Sequence, residues 1–395
     1  MSKGVTYASG FKAAGVACGI KKNGNRDLAL IVAEDGASAA GVFTQNIVKG
    51  HSLALSMEHI RGGRAKAVVI NSGNANACLA ERGRADALKM AEIAARICGA
   101  QTTEVLTGST GVIGIPMNME KIEAGIQMAY AALSDDGMDA VEAIMTTDTY
   151  PKTAETDVVI HSETVHIGGM AKGSGMIHPN MATMISVITT DAKMDAATLQ
   201  EALNQTVSVS FNRISVDGDT SVCDKVLLLA SGKVGGTIDA GTTEYTAFLE
   251  GLKTVCQTLA KMLAADGEGA TKLLTIRAEH VRSEADAQKI TQAIAKSPLC
   301  KTAAFGRDAN WGRLLTAAGY SGGMFDPEKV DIYIGDVMVC RDGGGLSFDE
   351  AAALEVLSQN EVVYRLDFKD GEAEDTMWTC DLTYEYVKIN GEYRT

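Results

Sequence analysis

Proline is scarce in this chain, five among 395 residues, and positive charge is in deficit, with 36 Lys and Arg against 50 Asp and Glu. The formal net charge of −14 makes an acidic surface that repels phosphate backbones, and no Lys/Arg cluster is long enough to form a basic patch. A nucleic-acid partner is therefore not expected. No stretch approaches the ~18 uninterrupted apolar residues that a spanning helix needs, so no membrane partner is expected either. C-x-x-C is absent: Cys18, Cys78, Cys98, Cys223, Cys256, Cys300, Cys340 and Cys380 stand singly. That is a reduced, cytoplasmic pattern rather than a disulfide framework. The histidines form no H-E-x-x-H. His161 and His166 are the nearest pair, followed by His51 and His59, and no metal site is expected.

What is present is an ordinary globular composition, 46% hydrophobic and 22% charged, with 41 glycines. The length suits two or three structural units, or one large core with elaborations. So much glycine with so little proline points to loops shaped around a ligand rather than to low complexity. The apolar run Ala13–Ile20 meets Lys21 and Lys22 with no small-residue cleavage pattern after it, so it reads as a first strand and not a signal peptide. Ala67–Ile70, Val158–Ile160, Ile185–Thr190, Val226–Ala230 and Leu273–Arg277 read as strands. Leu88, Ala91, Ala95 and Cys98 share one face of a helix, as do Ile122, Ile126, Ala129 and Leu133. Cys380, Leu382, Tyr384 and Tyr386 alternate with Asp381, Thr383 and Glu385, the pattern of a half-buried strand. Strands and helices mix throughout, giving an α/β or α+β class. Seams are expected at Gly168–Gly175 and Asp342–Ser347, and Glu279–Pro298 reads as a helical transition into a C-terminal unit.

The most informative segment is Gly169–Met184, a glycine run leading through Pro179 to Ala182, Thr183 and a strand. Taken plainly, it is a loop entering a strand. Taken chemically, a strained loop that sets the Ala182 carbonyl against the Thr183 hydroxyl allows an N→O acyl shift and cleavage. Thr183 then carries a free α-amino group with a pKa of about 7.7–8.0, which can serve as general base beside the hydroxyl. One residue supplies nucleophile and base. The stretch Thr107–Gly114 is a Gly-rich turn after a strand, of the kind that cradles an anion. Lys172 can pair with a substrate carboxylate, and Glu268, between Gly267 and Gly269, with a substrate ammonium. Three other patterns fail: Asp217–Ser221 is no EF-hand loop, Gly232-Lys233-Val234 no P-loop, and Gly108, Gly111 and Gly114 no dinucleotide fingerprint.

The run K-G-S-G-M-I-H-P-N-M-A-T-M at 172–184 resembles the self-cleaving motif of the ornithine acetyltransferases, the arginine-biosynthesis bifunctional family. The resemblance runs nearly end to end. It takes in G-F-K-A-A-G-V-A-C-G-I-K at 10–21, N-S-G-N-A-N-A at 71–77, T-G-S-T-G-V-I-G at 107–114 and T-T-D-T-Y-P-K at 146–152. It continues through S-V-D-G-D-T-S at 215–221, G-E-G-A-T-K at 267–272, G-R-D-A-N-W-G-R at 306–313 and I-N-G-E-Y-R-T at 389–395.

The resemblance implies cleavage between Ala182 and Thr183, Thr183 as nucleophile, and Thr110 with Gly111 as the oxyanion hole. It places Lys172, Glu268, Asn390, Thr395 and a threonine of 146–149 in the substrate pocket, Thr147 by preference with Thr146 and Thr149 as neighbours. The implied activity moves acetyl from N-acetylornithine to glutamate through an acetyl-Thr183 intermediate, with no cofactor. Acetyl-CoA as a second donor is left open. The implied fold is two facing β-sheets between helices with a smaller C-terminal α/β part from about 280 to 395. Chains 1–182 and 183–395 would stay together, as two copies of each. A self-processing amidase or aminopeptidase that lets water resolve the acyl-enzyme is the alternative within enzymes. An unprocessed ligand-binding protein is the alternative outside them.

Overall fold

A computed structural model describes residues 2–178 and 184–392, in two compact units. Ala182, Thr183 and Thr395 lie outside the described residues. The first unit is Met1–Asn212 with Asp219–Leu263; the second is Arg213–Gly218 with Ala264–Arg394.

In the first unit the chain runs β1 (Phe11–Val16), β2 (Leu28–Phe43), α1 (His51–His59), β3 (Arg64–Asn74), α2 (Ala80–Cys98) and β4 (Val105–Val112). There follow α3 (Met119–Ala131), α4 (Met138–Ile144), β5 (Lys152–Ile160), β6 (Glu163–Lys172), β7 (Ile185–Lys193) and α5 (Ala196–Ser208). A two-residue strand β8 (Ile214–Ser215) belongs to the second unit, after which β9 (Lys225–Thr237) and α6 (Thr243–Ala265) return.

β2 is the organising strand. Its first half pairs with β3, and after an irregularity between Val32 and Ala37 its Ser38–Phe43 stretch pairs with β9. The sheet order β4-β3-β2-β9-β7-β6-β5 therefore folds over along β2. The period-2 alternation separates two cores. Leu28, Leu30 and Val32 pack with Met90 and Ile93 of α2 and Ile122 and Ile126 of α3. Ala29, Ile31 and Ala33 pack instead with Ile185 and Val187 of β7 and Leu227 and Leu229 of β9. Alanines at 29, 33, 37, 39 and 65 on that inner face let the two halves approach closely. On the far side, Gly251 brings α6 down onto β5 and β6, where a Cβ would sit 2.3 Å from Val158 Cγ2. The result is helix, sheet, sheet, helix, the expected pair of facing sheets.

The second unit adds β10 (Leu273–Val281), α7 (Glu284–Lys296), α8 (Pro298–Phe305), α9 (Trp311–Gly319), β11 (Asp331–Ile334), β12 (Val337–Arg341) and β13 (Gly344–Gly345). Then come α10 (Glu350–Leu357), β14 (Glu361–Asp367), β15 (Ala373–Cys380) and α11 (Tyr384–Glu392). Its sheet runs β13-β12-β11-β14-β10-β15-β8, and Ile290, Ile294 and Leu314 of α7 and α9 pack with Ile276, Ile332 and Val362. This unit starts before residue 280, because β10 is an inner strand of its sheet.

Three local expectations change. Gly168–Lys172 is no seam but the buried end of β6; a Cβ on Gly168 would lie 2.2 Å from the Gly4 carbonyl oxygen, so glycine serves packing there. The alternation at 380–386 ends with β15, and the chain turns into α11 because Thr383 Oγ1 donates to the Gly269 carbonyl at 2.7 Å and accepts from the Glu385 N–H at 3.2 Å. The buried face of α2 is built on Ala87, Met90 and Ala94 beside Ala91, Ala95 and Cys98, leaving Leu88 41% exposed. No helix among the described residues is long and apolar enough to cross a membrane.

Candidate active site

The ends of β3 and β4 set the first part of the site. They run parallel with Ser72 opposite Thr110 and Gly73 opposite Gly111, then lose register at Asn74. Gly111 has φ +127°, and a Cβ there would lie 2.5 Å from the backbone carbon of Gly73, so only glycine fits. Buried side chains lock the two turns together: Ser109 Oγ donates to Asn71 Oδ1 at 2.7 Å and shares a hydrogen bond with Ser52 Oγ at 2.7 Å. The segments N-S-G-N and T-G-S-T-G, distant in sequence, thus form one rigid edge presenting Thr110 and Gly111.

Lys172 closes this edge from β6. Its ammonium donates to Thr146 Oγ1 at 2.8 Å and reaches Thr110 Oγ1 at 3.5 Å, the outer limit of a hydrogen bond. Lys172 is registered against Ile185, the first residue of β7, so β6 ends and β7 begins beside it. It is Thr146 rather than Thr147 that meets Lys172; Thr147 is half-buried alongside.

Beneath Lys172 sits an ion pair that the sequence did not single out. Asp148 and Lys152 are wholly buried at the side chain and 2.7 Å apart. The Asp148 carboxylate also accepts from the Gly173 N–H at 2.7 Å and the Thr146 N–H at 3.0 Å. Burial alone would push this carboxyl up, but the charges of Lys172 and Lys152, with hydrogen bonds from Lys152 and the Gly173 N–H, hold it down at about 2. Asp148 therefore fixes both the threonine that meets Lys172 and the start of the glycine loop after it. Its i,i+4 spacing from Lys152 inside T-T-D-T-Y-P-K was the available signal.

A second buried lysine, Lys225, opens β9. Its N–H donates to the Met184 carbonyl at 2.9 Å, and its ammonium donates to the Thr107 carbonyl on β4. Burial lowers its pKa to about 8. Among the described residues no cluster of His, Cys, Asp and Glu can hold a metal ion.

In the second unit Glu268 and Asn390 come together. Gly269, at φ +70°, packs against α11, where a Cβ would lie 2.7 Å from the Tyr386 nitrogen. That close approach brings Asn390 Nδ2 within 2.8 Å of Glu268 Oε2.

The first unit thus offers a fixed ammonium, two threonine hydroxyls and a glycine held against the backbone of Gly73. Such an array can bind a carboxylate and stabilise a developing oxyanion. The ArgJ family matches residues 12–395. The arginine biosynthesis bifunctional protein ArgJ of Symbiobacterium thermophilum is 51% identical over 100% of this chain and 99% of its own. That of Caldanaerobacter subterraneus is 48% identical over 99% and 98%. The crystal structure of the arginine biosynthesis bifunctional protein argJ from Bacillus halodurans is 39% identical, covering 53% of this chain and 100% of that one with a TM-score of 0.52. On sequence along its whole length and on the motifs gathered at this site, the chain belongs to the ArgJ family.

Proposed function

We propose that this protein is an acetyltransferase of arginine biosynthesis that moves the acetyl group of N-acetylornithine to glutamate through an acetyl-Thr183 intermediate. The observation that carries this reading is the convergence of Lys172 on Thr146 and Thr110 at the point where the chain leaves for, and returns from, the Thr183 segment.

The chain first cleaves itself between Ala182 and Thr183, leaving Thr183 with a free amine. Its Oγ attacks the acetyl carbon, the amine takes the hydroxyl proton, and Thr110 with the Gly111 amide holds the negative oxygen. The C–N bond then breaks and ornithine leaves with the proton. The amine of glutamate attacks the ester, N-acetylglutamate departs, and Thr183 is restored. Lys172 serves the amino-acid carboxylate, and Glu268 the side-chain ammonium of ornithine. No cofactor enters this cycle. Two copies of each piece would form the working assembly in the cytoplasm.

The test is to supply N-acetylornithine with and without labelled glutamate. Labelled N-acetylglutamate formed with a double-displacement pattern is expected. Acetate released equally in both cases would replace this reading with a hydrolase. N-acetylglutamate formed from acetyl-CoA alone would add a second donor.

A further inference from the structure

In the transferase cycle, on which this inference depends, one cleft serves two amino acids in turn. N-acetylornithine has one carboxylate and a side-chain ammonium, whereas glutamate has two carboxylates. Lys172 can meet the carboxylate common to both. The second carboxylate of glutamate needs another cation, since a half-buried anion without one is strongly disfavoured.

Lys21 stands at the right place. The turn that carries it is pinned by the buried carboxylate of Asp27, which accepts from the N–H groups of Cys18, Ile20 and Lys21 at 2.7, 2.6 and 2.9 Å. The lysine stem crosses Gly73: a Cβ on that glycine would lie 3.2 Å from Lys21 Cγ. Gly73 is the ladder partner of Gly111, so the stem runs over the backbone that supports the oxyanion edge. Lys21 also lines a cleft of about 820 Å³ together with Asn23, Asn25, Thr146 and Asp148.

The charges in that cleft single Lys21 out. Arg26 on the same wall is committed to Asp139 at 2.9 Å and Glu142 at 2.6 Å. The Lys21 ammonium gives one of its three donors to a neutral acceptor, the Arg26 carbonyl, at 2.7 Å. Burial disfavours its charged form and the Lys172 ammonium adds to the depression, while the Asp27 and Asp148 carboxylates oppose it. Lys172 reaches the cleft wall through Thr146, and two ammonium groups within each other's field draw an anion. The geometry points to Lys21 as the residue that selects the acceptor, holding the side-chain carboxylate of glutamate while Lys172 holds the carboxylate shared with ornithine.

Lys21→Met keeps the stem over Gly73 and removes the charge. In the full-length protein, exchange of label between N-acetylornithine and ornithine reads the donor half-reaction alone. Transfer to glutamate, compared with glutamine of the same shape, reads the acceptor half. Loss of a charge-assisted contact should lower kcat/KM for glutamate about 10–100-fold and erase most of its advantage over glutamine. Ornithine exchange should stay within about twofold, and Lys21→Arg should keep the preference for glutamate. An unchanged glutamate KM in Lys21→Met, or an equal fall in exchange and in both acceptors, overturns the assignment. A wild-type protein with no ornithine exchange overturns the transferase reading itself, a result distinct from either.

Discussion

Gly73 and Gly111 face each other across the β3–β4 ladder with no room for a side chain between them. Each has positive φ, +92° and +127°. The pair lets two strand ends close to backbone contact. Backbone donors placed this way are already oriented before a reaction begins, which is what makes them effective.

Gly111→Ala should therefore damage activity and stability together. The methyl group would drive into Gly73, and the backbone would relax away from the oxyanion position. A loss of ~10²–10³ in kcat is expected, with roughly 1–3 kcal/mol of destabilisation from the strained backbone. Steady-state kinetics beside thermal unfolding would check it; a variant with native kcat removes Gly111 from the oxyanion hole.

Thr183→Ala should leave a single full-length band on a denaturing gel and no transfer, and the wild type should give two bands. Thr183→Ser, which keeps a hydroxyl, should still cleave. A processed and active Thr183→Ala protein would end the N-terminal-threonine mechanism.

Asp148→Asn removes the carboxylate 2.7 Å from the buried Lys152 ammonium, which should cost about 3–5 kcal/mol at neutral pH. The wild-type carboxyl is depressed to about 2 from an ordinary 3.8. Its contribution is thus complete above 3.8 and is lost as pH falls towards 2, amounting to roughly 2 kcal/mol. Urea unfolding between pH 5 and 2 should show that slope in the wild type and not in the variant, with about this difference. Equal slopes would mean that the pair does not govern acid stability.

Lys225→Met should act in the opposite sense. A lysine whose folded pKa lies near 8 binds fewer protons in the native state than in the unfolded one between pH 8 and the ordinary 10.5. Wild-type stability should accordingly rise with pH over that window. The methionine variant should lack that rise and be more stable at pH 7 by about 1–3 kcal/mol. Ser56 Oγ, which donates to the Thr107 carbonyl at 2.7 Å, keeps that acceptor satisfied. A less stable variant would show that the ammonium holds β4 more strongly than its burial opposes.

Much of the fold was legible because strands such as Ala67–Ile70 and Val226–Ala230 are short apolar runs with few competing patterns. The failures occurred where one pattern served two structures. Cys380–Tyr386 alternates as a strand should, yet Tyr384 is 84% exposed at the start of a helix. A hydroxyl on Thr383 decided that turn. At the site, Lys172 and Thr110 were legible as motif residues. Asp148, Lys152 and Lys21 stand inside the same motifs without standing out, because burial cannot be read from a charged side chain.

The order of residues by itself determined the chemistry available: a threonine after Ala182, a lysine eleven positions earlier, and glycines where backbone must come close. Which groups meet was a matter of packing. The crossing of β2 between the two halves of its sheet, and the alanines that let those halves touch, bring β3, β4, β6 and β9 to one edge. Lys172 consequently meets Thr146 and Thr110, and Asp148 stays charged out of water, because distance and dielectric are properties of the folded chain and not of the string of residues.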